Sequence, residues 1–190
     1  MRFARANTPA APVTSDWSIG LETVQGKIDC GITLDQIHGG IDLKGSYNGR
    51  QFYSRGELDI DSVLYENFQF TQVRGPIWFN HQHLLFGAYA ERQQPGNVPR
   101  RIMAQFYGGQ LAGDCPVALS DTSRFILDAQ MSRADLATFA MEMIPGGRNL
   151  SGKMDGRLQL AGTSRGAHTL QGTGNSRLQE GNVYELPIVL

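Results

Sequence analysis

Residues 150–178 alternate with a period of two. Met154, Gly156, Leu158 and Leu160 interleave with Lys153, Asp155, Arg157 and Gln159. After a Gly-Thr-Ser-Arg-Gly turn, Leu170, Gly172, Gly174, Ser176 and Leu178 interleave with Thr169, Gln171, Thr173, Asn175 and Arg177. Such a period puts each set on its own side of a pleated strand. It predicts antiparallel strands with one apolar and one polar face.

The same alternation runs along most of the chain. Trp17, Ile19 and Leu21 begin a strand, and Ile28, Cys30, Ile32 and Leu34 form the next. Ile41, Leu43, Gly45 and Tyr47 lead into Asn48-Gly49, a two-residue hairpin turn, and Phe52, Ser54, Gly56, Leu58 and Ile60 return from it. Leu64, Glu66, Phe68 and Phe70 run into Val73, and Gly75-Pro76 interrupts before Ile77 and Phe79. A turn over residues 80–83 precedes a short strand over 84–89, and residues 91–99, with Pro95 and Pro99, read as a mobile loop. Ile102, Ala104 and Phe106 alternate, Gly108-Gly109 turns or bulges, Leu111 leads on to Val117, and Phe125, Leu127, Ala129 and Met131 form another strand.

One helix interrupts the pattern. Ser132 is its expected N-cap, with Asp135 three residues on. Leu136, Phe139, Ala140 and Met143 make a single apolar stripe that must lie on the sheet, and Pro145-Gly146-Gly147 ends the element. Asn182, Val183 and Tyr184 close the last strand, and residues 185–190 read as the start of a helix near Pro187. The expected fold is mainly β: a long, curled antiparallel meander of about a dozen strands, forming an open groove with one short amphipathic helix packed on it. Residues 1–15 are expected to be a disordered lead-in and residues 16–190 a single β-rich domain, a fragment of a longer chain truncated at the start of a C-terminal helix.

Composition narrows the function classes. Charged residues make up 18% of the 190 and balance to a net charge of −1, which argues against a protein built around an electrostatic grip on nucleic acid. Arg92, Arg100 and Arg101 read as a solvated hairpin flank. The two cysteines, Cys30 and Cys115, form neither a disulfide framework nor a zinc site. Cys30 falls in an apolar register that assigns it a buried thiol, and a bridge between the two requires their strands to meet. No apolar run approaches the ~18–20 residues that span a bilayer, and the N-terminus lacks the apolar stretch of a signal peptide.

No catalytic constellation emerges. His81 and His83 share one side of a strand but have no third metal ligand nearby, so no metal site is assigned. Asp59 and Asp61 occupy the wet side of one strand, and a two-carboxylate site needs facing segments. No serine sits in a Gly-x-Ser-x-Gly elbow, and residues 108–113 lack the Lys-Ser/Thr of a phosphate loop. No catalytic residue and no cofactor is expected.

Phe106-Tyr107-Gly108-Gly109-Gln110-Leu111-Ala112-Gly113, the strand and short helix that follow, Leu170-Gln171-Gly172-Thr173-Gly174, and Gly181-Asn182-Val183-Tyr184-Glu185-Leu186-Pro187 occur in that order. Through them residues 102–190 resemble the AsmA-like C-terminal region, a family of envelope proteins. The resemblance implies a curled sheet with an apolar concave side. Its larger members, similar to TamB-like and bridge-like proteins, are thought to carry lipids along a greasy trough between envelope membranes. It also implies a membrane anchor, usually N-terminal, and so a cell-envelope or periplasmic setting reached through a parent chain.

The residues support a physical version of that reading. An open trough lined by Phe106, Phe125, Leu127, Met154, Leu158, Leu160, Leu170 and Leu178 would shield phospholipid acyl chains and need no catalytic group. Two alternatives stay open: a structural or adhesive scaffold whose apolar face is closed, and a small-ligand barrel whose strands close on themselves.

Overall fold

The computed structural model describes residues 13–29, 32–93, 96, 98–143 and 150–182. They form one ten-stranded antiparallel sheet with two short helices: β1 (Ser15–Asp29), β2 (Thr33–Tyr47), β3 (Phe52–Tyr65), β4 (Phe68–Asn80), β5 (His83–Phe86), α1 (Ala88–Glu91), β6 (Ile102–Phe106), β7 (Gly109–Ala118), β8 (Arg124–Asp135), α2 (Leu136–Met143), β9 (Ser151–Thr163) and β10 (Gln171–Asn182). The expected long antiparallel meander is therefore the fold. Its strands are fewer than a dozen, because segments that read as separated by breaks are continuous.

The turns show where alternation misleads. Ile28, Cys30, Ile32 and Leu34 are not one strand: Ile28 pairs with Leu34 and Asp29 with Thr33, so the chain reverses between them. Leu64 and Val73 belong to different strands, joined at Glu66-Asn67 with Tyr65 opposite Phe68. Gly75-Pro76 does not break β4, which runs through both residues. The hairpin after β2 is a four-residue loop, residues 48–51, in which Asn48 Oδ1 accepts from the Gln51 amide at 2.8 Å. At the other glycine-rich hairpin the turn is Tyr107-Gly108, with φ of 46° and 69°, the twist a tight antiparallel hairpin needs.

The middle of the sheet is one rung made of two strands. β5 pairs with the second half of β4 and of β7, and β6 pairs with their first halves, so the two short strands lie end to end between the same neighbours. Between them the described residues from Gly87 to Arg101 lie off the sheet. Gly87 starts the departure at φ 72°, where a Cβ would meet Asp114 Oδ1 at 2.3 Å. The expected strand over 84–89 thus ends at Phe86, and Tyr89 and Glu91 belong to α1.

Bulges give the sheet its curl. Gln25, Gln36, Gln72, Arg133 and Glu180 have φ between 48° and 60°, each at a register shift, and all lie toward the end of the sheet holding the β1–β2 and β3–β4 turns. A bulge adds one unpaired residue, bends its strand and increases local twist. It also flips the face on which the alternation continues: Leu34 and Ile41 flank Gln36, and Phe70 and Val73 flank Gln72.

α2 packs at this same end, where Leu136, Ala140 and Leu150 form a buried cluster joined by Phe139. Its cap is Asp135, not Ser132, which is still a β8 residue opposite Gln110. Asp135 Oδ1 accepts from the Thr138 amide at 2.9 Å and from its hydroxyl at 3.0 Å. Ile37, Leu43, Ile60 and Ile77 are buried, whereas Ile19, Leu21, Leu158 and Leu178 remain 38–53% exposed on the apolar side. No helix among the described residues is long and apolar enough to cross a membrane. Residues 1–12 of the expected 1–15 lead-in, Cys30, Pro95, Pro145-Gly146-Gly147, Val183-Tyr184 and the helix start over 185–190 lie outside the described residues, while Ser15 already belongs to β1.

Candidate ligand-binding trough

The curl brings the start of β2 and the β3–β4 turn toward β8, β9 and β10, enclosing an open apolar trough of about 630 Å³. That size falls in the ~300–1,000 Å³ range of small-molecule sites. Its walls hold six of the residues expected from sequence: Phe106, Phe125, Leu127, Leu158, Leu160 and Leu170. Met154 and Leu178 are not among them. They pair with each other farther along β9 and β10, toward the bulged end.

Ile32, Leu34, Tyr65, Phe68, Phe70, Leu111, Ala129 and Met131 also line the trough and were not expected there. Ile32, Leu34, Phe68 and Phe70 precede bulges, so extending the later alternation back along β2 or β4 assigns them to the wrong face. The usable signal is the odd spacing between apolar residues on one strand, seven from Leu34 to Ile41 and three from Phe70 to Val73.

Aromatic rings consolidate one end. Phe70 stacks on Phe106 at 5.0 Å between centroids, Phe106 meets Tyr107 edge-on at 4.5 Å, and Tyr107 meets Phe139 of α2 at 5.4 Å. The Tyr107 hydroxyl is buried and has no hydrogen-bond partner among the described residues. Burial first, and the neighbouring Glu142 carboxylate second, push its pKa up to about 12. Along β10 the wall is low. A Cβ at Gly172 would lie 2.6 Å from Leu160 Cδ2, and one at Gly174 would lie 3.3 Å from Leu158 Cδ1.

The opposite face carries the charges, paired across strands. Arg101 donates from Nε to Asp114 Oδ2 at 2.7 Å and from a terminal nitrogen to Asp128 Oδ1 at 2.9 Å. Asp128 Oδ2 accepts from Arg157 at 2.8 Å and Gln159 at 2.9 Å, and these contacts, Arg157 foremost, hold its pKa at about 2. Arg100 bridges Glu57 and the buried Glu91, and Arg74 pairs with Asp59 at 2.8 Å. Arg92 and Arg100 are exposed, as a solvated flank requires, with Arg92 over the Tyr89 ring at 5.2 Å, whereas Arg101 is half-buried between Asp114 and Asp128. A recess of about 1350 Å³ on this side is lined by Arg74, Arg100 and Arg101 together with Glu22, Asp42, Glu57, Asp59 and Asp61.

His81 and His83 sit at the β4–β5 turn, where Asn80 Oδ1 accepts from the amides of Gln82 and His83. No group of three or more His, Cys, Asp or Glu side chains converges among the described residues. The chemistry of the trough is dispersion and the exclusion of water: its walls are mainly Leu, Ile, Phe and Met, with Tyr65 and, along β9 and β10, Arg157, Asn175 and Ser176 also at its lining.

Comparison with known proteins returns no matching family model, no matching curated protein and no matching solved structure.

Proposed function

We propose that the trough holds lipid acyl chains and that the domain is a non-enzymatic lipid-handling element of a cell envelope. The observation that carries this reading is the apolar wall joining Phe68, Phe70 and Phe106 to Leu127, Leu158 and Leu160 while the trough remains open to solvent. Each methylene moved from water to such a wall contributes about 0.8 kcal/mol. Affinity then follows chain length, and a wall without fixed polar contacts lets the chain slide. The AsmA-like resemblance of residues 102–190 points the same way. It also supplies the setting: outer-membrane biogenesis or lipid transport in a periplasm, with membrane attachment through a parent chain.

The test is displacement of a fluorescent fatty acid by unlabelled fatty acids of increasing length. Affinity is expected to rise stepwise with each added pair of methylenes and to be lost in Leu158→Asp. No probe binding by the folded protein would remove the reading and leave a structural β-scaffold.

A further inference from the structure

The two edges of the sheet complement each other. β1 from Ser15 to Thr23 and β10 from Gln171 to Gln179 are each free of register shifts. On the apolar side β1 presents Trp17, Ile19 and Leu21 between the smaller Ser15 and Thr23, and β10 presents Gly172, Gly174 and Ser176 between Leu170 and Leu178. One edge is large where the other is small. Ile19 and Leu21 are 46% and 53% exposed, and the described β10 side chains are exposed throughout.

Direction and charge agree with this match. The sheet has nine rungs, counting β5 and β6 as one, and all neighbours are antiparallel, so β1 and β10 run the same way. A second copy laid beside β10 in the same orientation keeps its apolar face on the same side. It then sets Trp17 opposite Gly172, Ile19 opposite Gly174 and Leu21 opposite Ser176. In that register Glu22 falls opposite Arg177, and neither makes an ion pair among the described residues. Pairing β10 with another β10 instead sets small residues against small ones. Pairing β1 with another β1 sets large against large and gathers Asp16 and Glu22 from both strands.

We infer that copies of this chain join head to tail, β1 of one on β10 of the next, extending the sheet and running their apolar faces together. Edge strands without prolines invite such pairing, and a heterologous contact of this kind propagates beyond two copies. The inference rests on the edges and not on what the trough binds.

Sedimentation velocity over a wide concentration range tests it. The mass is expected to climb with concentration past that of a dimer. Glu22→Arg and Arg177→Glu should each hold the protein at monomer mass with an unchanged circular dichroism spectrum, and the double exchange should restore growth. A monomer at every concentration, an assembly that stops at two copies, or growth indifferent to the exchanges would overturn it.

Discussion

Arg101 and Asp114 join the two ends of the excursion that splits the central rung. Arg101 Nε donates to Asp114 Oδ2 at 2.7 Å, while Asp114 Oδ1 accepts from the Ala88 amide at 2.7 Å. One carboxylate therefore ties the point where the chain leaves the sheet to the point where it returns. Gly87 adds a bond from its amide to the Pro76 carbonyl at 2.9 Å, fastening the excursion to β4 as well.

Asp114→Ala is expected to destabilise the protein by about 2 kcal/mol, since it removes charge-assisted bonds and leaves a half-buried guanidinium short of a partner. Urea unfolding measures the loss, and limited proteolysis should show earlier cleavage within residues 87–101. Unchanged stability would mean that the excursion is held elsewhere.

Acid should weaken the fold in a defined window. Asp128 and Asp135 have their pKa lowered from 3.8 to about 2, the first chiefly by Arg157 and the second chiefly by Lys153. A depressed carboxylate stabilises fully above its unfolded value and loses that contribution as pH falls through its folded value. Stability should thus decline from about pH 4 toward pH 2, by on the order of 1–2 kcal/mol for each group. Thermal melts across that range check it. Asp128→Asn should lower stability at neutral pH and flatten the acid slope.

Tyr107→Phe removes a buried hydroxyl that lies near the Glu142 carboxylate without a hydrogen bond of good geometry to it, and it keeps the rings against Phe106 and Phe139. The variant is expected to match or exceed the parent by up to about 1 kcal/mol in urea unfolding. A clear destabilisation would show that the hydroxyl is satisfied in solution.

Asp135→Ala should cost about 1 kcal/mol for the lost cap on α2. It also frees Lys153, whose ammonium lies 2.8 Å from Asp135 Oδ2. Amide exchange should speed up in the first turn of α2 before it does in β9.

The strands and their shared apolar face were legible because period-two alternation is a direct record of a half-buried sheet. β9 and β10 follow it residue by residue, and there Leu158, Leu160 and Leu170 were placed in the trough from sequence. The far wall was not legible. The bulges at Gln36 and Gln72 shift the face by one residue, and nothing in a single glutamine announces a positive φ. The split central rung was hidden for a different reason: it is defined by which strands flank β5 and β6, a long-range pairing that local pattern does not encode. Arg101 likewise looked like a surface charge because Asp114 and Asp128 reach it only through that pairing.

The central claim is that the trough carries acyl chains, and the most direct measurement is mass spectrometry of the organic extract from protein expressed in a lipid-rich host and purified without detergent. Near-stoichiometric phospholipid is expected, falling away in Leu158→Asp and Leu170→Asp while circular dichroism stays unchanged. A folded protein that yields no lipid, or whose lipid is untouched by both substitutions, would contradict the account.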